Sequence, residues 1–175
     1  MNRPKFIVAV LLLAVVILLP SATHHTVEAQ GANAYRCQDA QAFLENTVRK
    51  NDLATRVNRT QLYEFIYDNL ETLTKRLQEN EQAGAEPMST ALTQYQKKIN
   101  TFKSDYERYD AARQAVIEMP NCSGDQQRFE TLLKDARKKR TIVAKDIANL
   151  KAEISNELND SLDSLYITLA QKEEQ

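Results

Sequence analysis

MSTALTQYQKKINTFKSDYERYDAARQAV, residues 88–116, is the stretch on which the fold turns. Its apolar members Met88, Leu92, Tyr95, Ile99, Phe102, Tyr106, Tyr109 and Val116 recur in steps of four and three, and only Arg113 interrupts them. An α-helix turns every 3.6 residues, so this spacing keeps one apolar seam facing a neighbour over four heptads. A strand would instead alternate with a period of two. The reading here is a long helix with a coiled-coil seam.

The seam reappears on both sides of this stretch. C-terminal to it, Phe129, Leu133, Ala136, Val143, Ile147, Leu150 and Ile154 repeat the pattern with Arg140 as the polar member. Leu158, Leu162, Leu165 and Leu169 follow with one changed step, so the stripe rotates near residue 158. N-terminal to it, Leu53, Val57, Leu62, Ile66, Leu70, Leu73 and Leu77 make a less regular face. Two short interruptions separate the three segments, one holding Gly84 and Pro87 and the other Pro120 and Gly124. Connections this short reverse the chain, and the expected fold is all-α: an elongated antiparallel three-helix coiled-coil bundle. The helices are placed at about 38–82, 88–118 and 125–172. Ser123 and Gln126 have capping-box spacing at the start of the third. Asn51-Asp52 matches a cap for a new helix at Leu53, which would break the first helix near residue 51.

Folding about residue 85 sets Leu77 near Leu92, Ile66 near Phe102 and Leu53 near Val116. Folding about residue 122 sets Phe102 near Val143 and Met88 near Leu158. In that register residues 38–50 and 160–172 overhang opposite ends.

The N-terminus reads as an export signal. Arg3 and Lys5 precede Phe6–Leu19, an unbroken apolar run of 14 residues closed by Pro20. That is the length of a signal-peptide core and short of the about 20 residues a spanning helix needs. Val27-Glu28-Ala29 fits a peptidase site, with cleavage after Ala29; the alternative is an uncleaved anchor that touches the membrane through residues 6–22. The chain then divides into 1–29 (signal peptide or anchor), a linker over 30–37 and a helical domain over 38–175.

Cleavage removes Arg3, Lys5 and Glu28, so totals of 23 basic and 24 acidic residues become 21 and 23, a net charge of −2. A dedicated nucleic-acid binder would carry a basic excess. Both histidines, His24 and His25, precede the cut, and the chain has no tryptophan. A histidine triad and a histidine-bearing metal site are thereby excluded from the mature part. Three glycines, none clustered, offer no phosphate-binding loop. No catalytic, cofactor-binding or metal-ligating residue is expected, and no cofactor or small-molecule substrate.

Cys37 and Cys122 are the two cysteines, an even pair that suggests a disulfide in an exported chain. In the register above a straight first helix would carry Cys37 about 20 Å past the Cys122 loop. The pairing therefore requires a turn near residues 50–52. Lys134, Arg137, Lys138, Lys139 and Arg140 form a basic cluster, read as a solvated helix face. Tyr95, Tyr106 and Tyr109 lie on the seam with Phe102 and read as core, with Arg140 near the Tyr106 layer as a hydroxyl partner. Asn58, Asn121 and Asn159 stand in glycosylation-type triplets.

The stretches Ile99–Tyr109 and Phe129–Arg137, with a cysteine between them, resemble exported bacterial three-helix coiled-coil proteins of uncharacterised function. The resemblance spans most of the mature chain on heptad residues, and implies fold and location without an activity. Periplasmic chaperones with helical tentacles are similar in size and export, but their strongly basic clamp has no counterpart here. The expectation is a non-catalytic binding or scaffolding protein, secreted or extracytoplasmic, with a protein partner or a second copy meeting Leu162, Leu165 and Leu169 beyond the three-helix overlap. The competing view of those leucines is a helix folded back on the bundle. A membrane-anchored stalk and a holdase-type chaperone are the alternatives.

Overall fold

The computed structural model describes residues 37–173 apart from 83, 121 and 123, within a compact unit that spans Tyr35–Gln175. The proposed signal, the Ala29 cleavage site, Asn121 and Ser123 lie outside the described residues. Those that are described form helices and short turns, with no strand among them. Helix α1 (Cys37–Phe43), a π-helical turn (Leu44–Val48) and α2 (Arg49–Glu79) run on without a break in backbone direction, since Phe43 and Arg49 both keep right-handed helical angles. Helix α3 spans Ala85–Ile117. Helix α4 (Gln126–Glu153), a second π turn (Ile154–Leu158) and α5 (Asn159–Glu173) make the last rod.

Both π turns sit where inward-facing residues step by four several times in succession. Ala40, Leu44, Val48 and Asp52 do so in the first rod, and Leu150, Ile154, Leu158 and Leu162 in the last. Each step of four outruns the 3.6-residue turn by about 40°. One wider turn absorbs the drift and keeps the ridge on its neighbour. The rotation expected near residue 158 takes this form.

The reversal between α2 and α3 is a Schellman motif. Gln82 N–H donates to Leu77 O at 2.9 Å and Glu81 N–H to Gln78 O at 3.0 Å. Glu81 occupies the left-handed position with φ of 50°, where glycine is usual. Pro87 lies inside the first turn of α3, where its missing N–H would have no partner in any case. The turn is thus nearer residue 81 than 85. Asp125 caps α4, accepting from Arg128 N–H at 3.1 Å, so the cap is two residues beyond the Ser123 box.

The earlier turn resets the register. Asp52 meets Tyr109, Tyr63 meets Tyr95 and Gln41 meets Val116. Cys37 then falls level with Cys122 in a helix that never bends. The break near residue 51 does not exist, Asp52 is a buried side chain rather than a cap, and residues 38–50 do not overhang. They lie along the end of α3, where Gln41 Nε2 donates to Val116 O at 2.9 Å and Met119 O at 3.0 Å.

Helix α3 packs against both other rods and supplies the largest share of the core. Met88, Tyr95, Ile99, Phe102 and Val116 have no exposed surface. Around the first four gather Tyr63 and Leu70 from α2, Leu150 and Ile147 from α4, and Leu158. Burying such side chains contributes roughly 1.5–3 kcal/mol each, before the entropy of ordering them. Around Val116 gather Cys37, Ala112, Met119, Cys122, Phe129 and Ala136. Helix α2 turns inward the face expected from Leu62 to Leu77, where Leu62, Ile66, Leu70, Leu73 and Leu77 all pack on the core, and departs from it only at its start. Tyr63 is buried, whereas Leu53 and Val57 are exposed, because Asp52 and Arg56 turn inward to meet polar partners on α3 and α4.

Candidate interaction surfaces

Cys37 and Cys122 lie at bonding distance, with sulfurs 2.06 Å apart and Cα atoms 5.8 Å apart. Both are buried, at 8% and 3% exposure, so the bridge acts as a structural tie beyond ready reach of a thiol reagent. It joins the start of α1 to the loop between α3 and α4.

About four helical turns inward from the bridge stands a polar layer drawn from all three rods. Asp52 of α2 accepts from the Tyr109 hydroxyl of α3 and, at 2.9 Å, from Arg140 of α4. Burial, and then the bond to Asp52 and its charge, push the Tyr109 phenol well above the ordinary tyrosine range. Arg113, only 2% exposed, pairs with Asp110 and lies over the Tyr109 ring, while Arg56 lies over Tyr106. Nε and Nη1 of Arg113 and the Tyr106 hydroxyl are enclosed without a well-formed hydrogen bond among the described residues. The tyrosines are therefore interior, as their spacing suggested. Arg140 serves Tyr109 through Asp52 rather than Tyr106. Asp52 escaped the sequence reading because an acidic residue between Asn51 and Leu53 looks like a cap.

A second buried carboxyl, Asp146 on α4, faces Asp105 of α3. Burial first, and then the Asp105 charge, push it up to about 6, against the opposing pull of Arg108 and Lys145. Glu153, one further repeat along, is buried beneath Lys98, which pairs with it across the helices. These carboxylates sit in ion pairs or beside a like charge within the packing between helices.

The surface holds the remaining apolar residues. Leu53, Val57 and Phe65 follow one another along the outside of α2, and Phe65 is 67% exposed. Of the three leucines expected to meet a partner, Leu165 is buried against Leu77 and Ala85, and Leu162 packs on the main core. Gly84 makes that seat, since a Cβ there would stand 2.6 Å from Leu165 Cδ1. Leu169 is exposed beyond it, as are Tyr166 at 72% and Ile167 at 55%. The folded-back arrangement thus accounts for Leu162 and Leu165, while the ridge from Tyr166 onward has no cover among the described residues.

Within the basic cluster, Lys139 bonds Asp135 at 2.5 Å and Arg140 bonds Asp52. Lys134, Arg137 and Lys138 are exposed and form no ion pair among the described residues. Asn58 and Asn159 are exposed as well. No grouping of histidine, cysteine, aspartate and glutamate able to hold a metal ion occurs among the described residues, and no described helix is long and apolar enough to cross a membrane. Comparison with known proteins found no match to this chain among protein families, curated proteins or solved structures.

Proposed function

We propose that this protein is an exported, non-catalytic binding or scaffolding module of the cell envelope or extracellular space, its three rods forming an elongated antiparallel coiled-coil bundle. The observation that carries the reading is the placement of large apolar side chains. The interior is closed by α3, yet Phe65, Tyr166 and Ile167 lie mostly open to solvent on helices whose inner faces are already occupied. Exposed side chains of that size are the natural points of contact with another macromolecule. The absence of histidine beyond residue 25 and the engagement of buried carboxyls in packing support a role without catalysis.

Two measurements test this. Intact mass of the protein purified from its host, with thiol labelling before and after reduction, should show a chain beginning at Gln30 that labels only once reduced. Crosslinking in the secreted fraction should then capture a partner that the double variant F65S/Y166S no longer captures. A full-length mass recovered from the membrane fraction would replace the secreted module with a second reading, a membrane-anchored stalk. The length of the molecule suits that second reading. Cys37 lies at the bridge and Tyr166 at the opposite end, with the 33 residues of α3 spanning about 50 Å between them. A holdase-type chaperone falls within the binding class and would reveal itself by suppressing aggregation of an unfolded client.

A further inference from the structure

The outward face of the α4–α5 rod carries a second seam that the fold does not use. Thr141, Ala144, Ala148, Ala152 and Ser155 follow one another in steps of three and four, and all are exposed. They lie on the side of the rod away from Val143, Leu150 and Leu158, which are buried. Small side chains at seam positions let two helix axes approach closely. The two ends of this face carry opposite charge. Lys134 and Arg137 precede the small residues, and Asp160 and Asp163 follow them, each exposed and none in an ion pair among the described residues. The π turn matters here, because its extra residue brings Asp160 and Asp163 onto the face that Arg137 and Ala148 occupy.

Such a face is complementary to itself when reversed. In an antiparallel pair centred between Ala148 and Asn149, Lys134 of one copy stands level with Asp163 of the other, and Arg137 with Asp160. Twofold symmetry makes each pairing twice, along a contact about 45 Å long. The parallel arrangement would set like charges side by side at both ends. We infer that a second copy of this chain docks on the outer face of α4–α5, antiparallel, to give a twofold dimer. This deepens the binding reading above by naming a partner, and rests on it.

The test uses the full chain as purified from its host, studied by sedimentation equilibrium in about 50 mM salt, below the screening of physiological medium. R137E and D160R should each raise the dimer dissociation constant about tenfold or more, since each reversal acts at two symmetric contacts. The combined variant R137E/D160R should recover most of the loss. Position-specific oxidation gives an independent readout. A148C, close to the twofold axis, should link two copies, whereas K134C, far from its own symmetry mate, should not. A wild-type chain that stays monomeric at all concentrations would overturn the inference and leave partner capture to judge the binding reading separately. A dimer indifferent to both charge reversals but lost in Y166S would overturn it too, assigning self-association to the free end of α5. Linking of K134C in place of A148C would overturn the antiparallel arrangement.

Discussion

The two halves of the interior are built on different physics. From Met88 to Phe102 the seam itself is apolar, with Tyr63, Leu150 and Leu158 filling it from either side, the Tyr95 hydroxyl donating to Tyr63 O at 3.3 Å, and Glu153 paired with Lys98 beside it. From Tyr106 to Arg113 the same seam carries charge: Asp52, Arg113 and Arg140 meet around two tyrosines, and a covalent bridge closes the end. Apolar contacts are strong but tolerant of sliding, whereas a buried carboxylate with two named partners accepts one alignment. The comparison teaches that cohesion and alignment are assigned to separate ends of one seam.

The largest effect should come from opening the bridge. With Cys37 and Cys122 separated by 85 positions in sequence, loss of the closed loop in C37S/C122S should cost about 4–5 kcal/mol in urea unfolding. If the polar layer sets the alignment, amides around Asp52 and Tyr109 will keep their slow hydrogen exchange in this variant while those of α1 speed up. Loss of protection at the layer itself would break the comparison. Next, F102A in the apolar half should cost about 3–4 kcal/mol through the cavity it leaves, measured the same way. In the polar half, D52A should cost about 2 kcal/mol by orphaning the Tyr109 hydroxyl. R113M should instead be neutral or stabilising by about 1 kcal/mol, because two of its nitrogens are enclosed without a well-formed bond and its partner Asp110 remains half-exposed. A costly R113M would show that Arg113 is fully satisfied in solution.

Similar in size is the effect of Asp146. Its folded value, about 6, exceeds the ordinary 3.8, so the folded state holds this proton more tightly than the unfolded chain. Its contribution is greatest below pH 4, falls as pH rises between about 4 and 6, and is flat above. D146N should therefore be more stable than wild type by about 1–2 kcal/mol at pH 7, the difference vanishing below pH 4 in a pH series of thermal melts. Last, E81G should gain about 0.5 kcal/mol by relieving the left-handed backbone, offset in part by the unfolded chain's added freedom.

How much of this was legible follows from where the polar residues fell. The α3 seam was readable because its single polar member, Arg113, interrupts an otherwise apolar series, and the three-helix order came with it. The cysteine pairing came instead from the even count in an exported chain, against the register drawn from apolar residues. Only the start of helix α2 was misread, because Asp52 and Arg56 face inward there, while Leu62 to Leu77 pack as their spacing indicated. Matching apolar residues alone selected Leu53 and Val57, which are exposed. The register was misplaced because Pro87 looks like punctuation but sits harmlessly in a first helical turn, while Glu81, unremarkable in sequence, makes the reversal. The outer face of α4–α5 was hidden for a related reason. Alanine and serine give little hydropathy signal, and the acidic half comes into line with the basic half only through a wider turn that spacing rules leave out.

That wider turn has a consequence for how the gene could vary. A helix normally cannot gain or lose a residue without rotating everything downstream by about 100°. Residues 154–158 already hold a surplus residue, so a one-codon deletion there would convert the π turn into ordinary α-helix and leave the far end facing the same way. Leu165 would keep its seat at Gly84, and Asp160 its line with Arg137. This joint can lose a codon without turning the last fifteen residues of helix to a new side.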